Sequence, residues 1–341
     1  MHSYFGSANG YNGFISLFDE KFNSNETDKI FVLKGGPGTG KSTLIKKLIK
    51  KIENSASSIE TYFCSSDINS LDGAIFEMND KKVAIIDGTA PHERDAIYVG
   101  VVDEIINLGE SLNTKSLSFY KNKILHLHEQ KSDAYKNAYR HLNLAGKCDE
   151  EIYKLLEQNF DKCSAVKYIS DLLNSIPKCE DAKHQRAIVS SFSKDGYVTL
   201  IPEEFERLKK VNFSGNRRTV EILIRYINGK IKDKKTCCYL SPLDKEHLEF
   251  LKINDEVLFS HNENAADINA DHFINSYDMI EEKVKVVKRT HDELLTESIR
   301  WFGIASSVHF ELEEIYKSCM NFERNNYVLE QTYEKILEIC S

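Results

Sequence analysis

The amino-acid sequence predicts an α/β fold with a mostly parallel sheet, present twice in the chain and extended by long helices. A glycine-rich loop joins an apolar strand to an amphipathic helix near the start of the chain. Weaker counterparts of these elements recur in the second half, and each half ends in a stretch with helical periodicity. We therefore expect two lobes, residues 1–180 and 181–341, each with its own helical arm.

The glycine-rich loop, residues 35–42, has a glycine, four further residues and then Gly-Lys-Ser, which is the pattern of a phosphate-binding loop. Its glycines let backbone N–H groups point at phosphate, and Lys41 can reach the β- and γ-phosphates. Ser42 is the expected hydroxyl ligand of Mg²⁺. The alternative is a glycine-rich turn without a ligand. The expected nucleotide-binding residues are Gly36, Pro37, Gly38, Thr39, Gly40, Lys41, Ser42 and Thr43.

A second apolar run, residues 83–86, ends at Asp87. Such a continuous run is typical of a strand buried on both faces of a parallel sheet. Ligands of open α/β sheets bind at the carboxyl ends of the strands. Asp87 is therefore the expected acid of the Mg²⁺ shell, and the alternative is an ordinary turn aspartate.

Asp67 lies at the polar end of a predicted strand over residues 59–67. This strand should run parallel to the one before the loop, because a helix connects them. Asp67 would then orient an attacking water, accept a proton from a substrate hydroxyl or hold a metal-bound water. The alternative is a cap or turn residue.

The polar segment 88–95 continues directly from Asp87 and is expected to border the same site. Thr89 and His92 could sense the γ-phosphate, and Glu93 or Asp95 could act as a base. Arg94 could neutralise charge in the transition state. Taken singly, each of these residues is better explained by a structural role.

The second half repeats the order of these features with altered residues. An ungapped alignment of the loops pairs Gly38 with Gly215, Lys41 with Arg218 and Ser42 with Thr219. Further along, Ser260 falls at the position of Asp87, at the end of the corresponding apolar run. The copy would keep the scaffold and lose the metal-binding carboxylate. The alternative to duplication is chance similarity of two α/β segments. In a duplicated chain, Arg217 and Arg218 could still bind an anion or reach the first site.

Residues 96–159 and 274–339 carry apolar side chains at helical spacing and are expected to form the arms. The arms would either pack on each other around the duplicated core or act as a lid that moves with nucleotide state.

Composition sets the remaining limits. The net charge of −8 disfavours a general nucleic-acid binder. No apolar run reaches the roughly 18 residues of a membrane span, and the first residues do not resemble a signal peptide. The eight cysteines show no Cys-x-x-Cys spacing, which favours free thiols in a reducing compartment. We expect a cytoplasmic protein.

Several motifs together resemble a family of tandem P-loop ATPase-like proteins of clostridia and related Gram-positive bacteria. They are residues 35–43, 64–67 with 70–73, 87–92 and 103–109. The resemblance covers most of the chain and implies ATP binding, without a particular physiological role. In that family the second half often keeps a glycine-rich, lysine-containing loop, which is degenerate here.

These features predict a P-loop NTPase-like protein whose first lobe binds Mg-ATP and hydrolyses it. Lys41, Asp67 and Asp87 are the expected catalytic residues, and Ser42 and Asp87 the expected metal ligands. ATP is favoured because the chain lacks an Asn-Lys-x-Asp motif for guanine. One alternative is a small-molecule kinase with Asp67 as base. Another is a non-enzymatic, nucleotide-gated switch or scaffold that acts on a protein partner.

Overall fold

A computed structural model describes residues 1–179, 182–264 and 267–341. The strands in these residues are β1 His2–Phe5, β2 Ser7–Gly10, β3 Gly13–Ser16, β4 Lys29–Lys34, β5 Ser58–Phe63, β6 Leu71–Met78, β7 Lys81–Asp87, β8 Asp103–Asn107, β9 His184–Ala187, β10 Ser190–Ser193, β11 Gly196–Thr199, β12 Lys209–Ser214, β13 Thr236–Leu240, β14 Leu248–Ile253, β15 Val257–His261 and β16 Ile268–Asn269. The helices are α1 Phe18–Lys21, α2 Lys41–Ile52, α3 Thr114–Ser118, α4 Lys121–Gln158, α5 Lys162–Asn174, α6 Arg217–Asn228, α7 Tyr277–Ser318 and α8 Phe322–Ile339. Within the described residues, none of these helices could span a membrane.

The strands form two six-stranded sheets with the same order. The first sheet runs β1-β5-β6-β7-β4-β8, and the second runs β9-β13-β14-β15-β12-β16 when read from the equivalent edge. In each sheet one strand, β6 or β14, is antiparallel to its neighbours, and the other pairings are parallel. The predicted duplicated α/β layout is therefore confirmed.

Local irregularities are also duplicated. A register shift interrupts the pairing at Tyr62/Phe63 in the first sheet and at Tyr239/Leu240 in the second. Asn-Asp pairs with positive φ lie between β6 and β7, at residues 79–80, and between β14 and β15, at residues 254–255, where Glu256 adds a third residue to the connection. Tight hairpins of this kind need positive φ at both central residues, which asparagine and aspartate tolerate. The two halves thus share register and turn chemistry as well as strand order.

Most predicted elements occur, with one clear error. The strands before the loop and before Asp87 are β4 and β7, and β5 has the same direction as β4. The predicted helical arm over residues 96–159 is wrong in its first part, because β8 at 103–107 pairs in parallel with β4 and α4 begins only at Lys121. The second arm is helical from Tyr277 to Ile339 except for a break at residues 319–321.

The two halves exchange their last helices. Leu329 and Ile336 of α8 pack in the first-lobe core with Leu48 of α2, and Asn79 donates a hydrogen bond to the Cys340 carbonyl at 2.8 Å. In return, Ile169 of α5 packs with residues of α6 in the second lobe. The predicted boundary between residues 180 and 181 lies outside the described residues.

The long arms α4 and α7 pack against each other. Leu127 of α4 lies in one cluster with Leu312 and Ile315 of α7, and Lys123 forms an ion pair with Glu311 at 2.7 Å. Their lengths of 38 and 42 residues correspond to about 57 and 63 Å at 1.5 Å per residue. Each arm carries its terminal helix to the opposite lobe.

Candidate functional site

The glycine-rich loop spans Gly35 to Gly40 between β4 and α2. Gly38 and Gly40 have φ values of 68° and 89°, a conformation that strongly favours glycine. The Thr39 hydroxyl donates to the Gly36 carbonyl at 2.8 Å and fixes the turn. Gly40 occupies the N-cap position of α2 and offers no side chain, so no side chain accepts from the first N–H groups of this helix. A helix N-terminus of this kind attracts anions.

Lys41 turns back over the loop. Its Nζ donates to the Gly35 and Gly36 carbonyls at 3.0 Å each, and it lies 3.6 Å from Oδ2 of Asp87. The lysine and the acid predicted from separate motifs therefore lie side by side. Ser42 accepts a hydrogen bond from the Leu71 backbone N–H at 2.9 Å, so its hydroxyl faces the start of β6.

The remaining predicted nucleotide-binding residues are Pro37 and Thr43. Pro37 lies in the loop and is partly exposed, whereas Thr43 is exposed on the first turn of α2. The structure brings together Lys41, Ser42 and Asp87.

Helices from the second half of the chain cover the loop. A Cβ added at Gly38 would lie 2.6 Å from the Glu313 backbone oxygen, and one at Gly36 would lie 2.9 Å from the Tyr316 ring. Asn325 of α8 donates to the Thr39 carbonyl at 2.8 Å. The glycines are therefore required for close packing of α7 as well as for the shape of the loop, and the loop conformation is coupled to the α7–α8 corner.

Asp72 and His92 were not predicted as partners of Asp87, yet both lie beside it. One ligand atom from each of Asp72, Asp87 and His92 lies within 4.8 Å of the others. Asp72 and His92 are only 4% and 8% exposed. Burial, followed by the charge of Asp87, raises the pKa of Asp72 well above its usual range, and burial lowers the pKa of His92.

The sequence does contain a signal for Asp72. The Asn79-Asp80 pair between two apolar runs is typical of a tight hairpin. Recognising it would have added β6 to the sheet and placed Asp72 near the start of that strand, next to the end of β7.

Asp67 forms a turn that both lobes share. Its Oδ1 accepts from the Asn69 N–H at 3.0 Å, and its carbonyl accepts from the Ser70 N–H at 2.9 Å. In the second lobe, Asp244 accepts from Glu246 and His247 in the same way, at 3.0 and 3.1 Å. The turn explains an aspartate here without catalysis, and the catalytic role of Asp67 stays a prediction.

The segment 88–95 folds against β4 and β8. Thr89 donates its N–H and hydroxyl to Oδ1 of Asp87 at 2.9 and 2.6 Å, which orients that carboxylate. Buried Arg94 pairs with Asp103 at 3.4 Å and with Ser24 at 2.9 Å. Arg94 therefore has a structural partner, while Glu93 and Asp95 are exposed.

Helix α4 brings a further cation to the site. Lys131 lies between Leu127, which packs on α7, and Tyr135, which interacts with Ser66 at the end of β5. These three residues are four apart and share one helix face. Burial and then the charge of Lys41 lower the pKa of Lys131, so the two ammonium groups repel each other.

The second-lobe loop is shorter than its ungapped alignment suggests. Gly215 follows β12 directly and α6 begins at Arg217, so the helix starts pair Lys41 with Arg217. Strand register also identifies the residue that is equivalent to Asp87 in the second lobe. Leu33 pairs with Asp87 in the first sheet, and the equivalent Phe213 pairs with His261 in the second. The predicted pairings of Lys41 with Arg218 and of Asp87 with Ser260 are therefore wrong by one position.

The arginines of the second lobe are neutralised internally. Arg218 pairs with Asp149 at 2.6 Å and with Glu221 at 2.5 Å, and Arg217 pairs with Glu221 and Glu249 at 3.3 Å each. Neither reaches the first site.

The start of α6 is capped by groups of its own lobe. The side chain of Asn216 accepts from the Arg218 N–H at 2.9 Å. The Asp271 carboxylate accepts from the Asn216 N–H at 2.9 Å and from the Thr219 hydroxyl at 2.7 Å. A side-chain carboxylate thus occupies the helix end that is uncapped in the first lobe.

Part of the chain matches a known protein family. Residues 16–75, which include the glycine-rich loop, match the family described as Nephrocystin 3, N-terminal. A search of curated proteins and a search of solved structures found no match. The matched segment covers β4, α2 and β5, which is less than half of the chain.

Proposed function

We propose that the first lobe is a P-loop NTPase-like unit that binds Mg-ATP and hydrolyses it. One contrast carries this proposal: α2 begins without a side-chain cap beside Lys41, whereas the equivalent α6 is capped by Asn216. Free N–H groups next to a lysine suit phosphate oxygens, because donors and positive charge converge on one anion.

The contacts of Lys41 within the protein are weak, which leaves its ammonium group available to phosphate. Its two hydrogen bonds go to neutral carbonyls, and its nearest carboxylate oxygen is 3.6 Å away. A phosphate would offer charge-assisted hydrogen bonds, which are about twice as strong as neutral ones. Lys131 adds a second ammonium group for which no ion pair forms in the described part of the chain, and it would support the same anion.

The expected Mg²⁺ ligands fit the ion chemically. Ser42 and Asp87 supply hard oxygen atoms, and both lie next to Lys41 at the carboxyl edge of the sheet. When bound, Mg²⁺ would neutralise charge on the β- and γ-phosphates. Thr89 fixes the Asp87 carboxylate through Oδ1 and leaves Oδ2 directed towards Lys41.

Contacts of the loop with the second half favour a further role as a nucleotide-gated switch. Asn325 is only 9% exposed and holds the Thr39 carbonyl, while α7 packs on Gly36 and Gly38. Any movement of the loop on phosphate binding would reach the α7–α8 corner, and from there the arms. The second lobe is then a non-catalytic duplicate of the first.

Phosphate release from ATP tests the proposed reaction. We expect Mg²⁺-dependent release without any added acceptor, because the site needs only water as nucleophile. Omission of the metal should abolish release. ATP binding without turnover would instead support the switch alone, and release that requires an acceptor would support a kinase with Asp67 as base.

A further inference from the structure

Asp72 and His92, which lie beside Asp87, carry buried polar atoms without a hydrogen-bond partner in the described residues. Oδ2 of Asp72 and both ring nitrogens of His92 are buried without a hydrogen bond within the described residues. A buried polar group without a hydrogen bond destabilises the fold, and a charged group does so more strongly. The ring of His92 is held in place by stacking on Phe18, with centroids 4.9 Å apart. The cluster of Asp72, Asp87 and His92 therefore contains buried polar atoms whose hydrogen-bonding capacity is unsatisfied.

In the second lobe, the carboxylate at the position of Asp72 is neutralised by an arginine of the same chain. Pairing of Leu71 with Phe63 and of Leu248 with Leu240 makes Glu249 the counterpart of Asp72. Glu249 lies 3.3 Å from the guanidinium of Arg217, which starts α6 as Lys41 starts α2.

The corresponding charges of the first lobe are not balanced. Its two carboxylates share the single ammonium of Lys41, and among the described residues Lys41 forms an ion pair with Asp87 and not with Asp72. One positive charge is therefore missing at a buried position next to His92.

We propose that Asp72, Asp87 and His92 bind a divalent transition-metal ion such as Mn²⁺ in the absence of nucleotide. Two carboxylates and a neutral imidazole balance a charge of +2. Carboxylates suit Mn²⁺, imidazole suits the later divalent metals such as Fe²⁺ and Zn²⁺, and Mg²⁺ prefers oxygen ligands and water. The site shares Asp87 with the proposed Mg-ATP site, but it needs no phosphate.

The present separations are close to those of a bound ion. Metal–ligand bonds of about 2.1 Å place opposite ligands about 4.2 Å apart. The ligand atoms lie within 4.8 Å of one another, so small side-chain rotations close the set. Thr89 would keep the Asp87 carboxylate oriented through its two hydrogen bonds.

Titration of the nucleotide-free protein with Mn²⁺ tests this site, with free Mn²⁺ followed by electron paramagnetic resonance. We expect one bound Mn²⁺ per chain, and Asp72→Asn should weaken binding by at least about tenfold. His92→Gln should weaken Mn²⁺ binding to a similar extent and reduce the preference for Mn²⁺ over Mg²⁺.

Matched controls are exposed residues of the same types. Asp19→Asn on α1 and His126→Gln on α4 should bind Mn²⁺ like the wild type. Thermal unfolding without metal shows whether each variant folds, and Asp72→Asn should fold because it removes a buried charge. Absence of Mn²⁺ binding by the wild type would overturn the proposal, as would wild-type affinity in folded Asp72→Asn and His92→Gln.

Discussion

Lys41→Ala should lower the affinity for ATP by at least about 100-fold, or about 2.7 kcal/mol. Lys41 is the cation that the loop presents to phosphate, and it lies 3.6 Å from Asp87 on the expected metal side. The free protein loses two hydrogen bonds to carbonyls, each contributing about 1 kcal/mol, together with the ion pair to Asp87. Calorimetric titration with ATP and Mg²⁺ measures the loss, and thermal unfolding checks that the variant folds.

Lys50→Ala is the matched control. Lys50 is exposed on the same helix, more than two turns after Lys41. Its removal should leave ATP affinity within about twofold, since exposed charges contribute little. Equal losses in both variants would mean that general positive charge, and not the loop lysine, draws the nucleotide.

Ile336→Ala should destabilise the first lobe by about 2–5 kcal/mol, although this residue lies near the end of the chain. Ile336 is fully buried in α8 and packs in the same core as Leu48 of α2. Hydrogen exchange of the α2 amides, together with urea unfolding, measures the effect. Its neighbour Leu337 is 39% exposed, so Leu337→Ala should cost much less.

Comparison of Ile336→Ala with Leu337→Ala tests whether α8 is part of the first-lobe core. If α2 amides exchange at wild-type rates in Ile336→Ala, the last helix does not complete the first lobe. The exchange of helices seen at α5 and α8 would then have no energetic role in the nucleotide site.

Local patterns predicted much of the fold. β4, α2 and β7 follow from an apolar run, a glycine-rich loop and a second apolar run that ends in Asp87. The duplication followed from feature order, and strand register then corrected the alignment by one position at Asp87. Register depends on which backbone groups pair, and no residue type at Ser260 or His261 reveals it.

The rest of the site depends on distant contacts. Asp72 lies next to Asp87 only because β6 pairs antiparallel with β7, and β6 was not predicted from the sequence. Lys131 belongs to α4, which packs on α7. The α7–α8 corner lies almost 300 residues after the loop that it covers. Helical periodicity indicated an arm, but periodicity does not show which lobe a helix will join.

The central claim is one intact nucleotide site beside a silenced copy. Calorimetric titration of the wild-type chain with ATP in the presence of Mg²⁺ tests it most directly. The uncapped start of α2 and the internally neutralised Arg217 and Arg218 predict one ATP per chain. Two equivalent ATP molecules per chain, or none, would contradict the account.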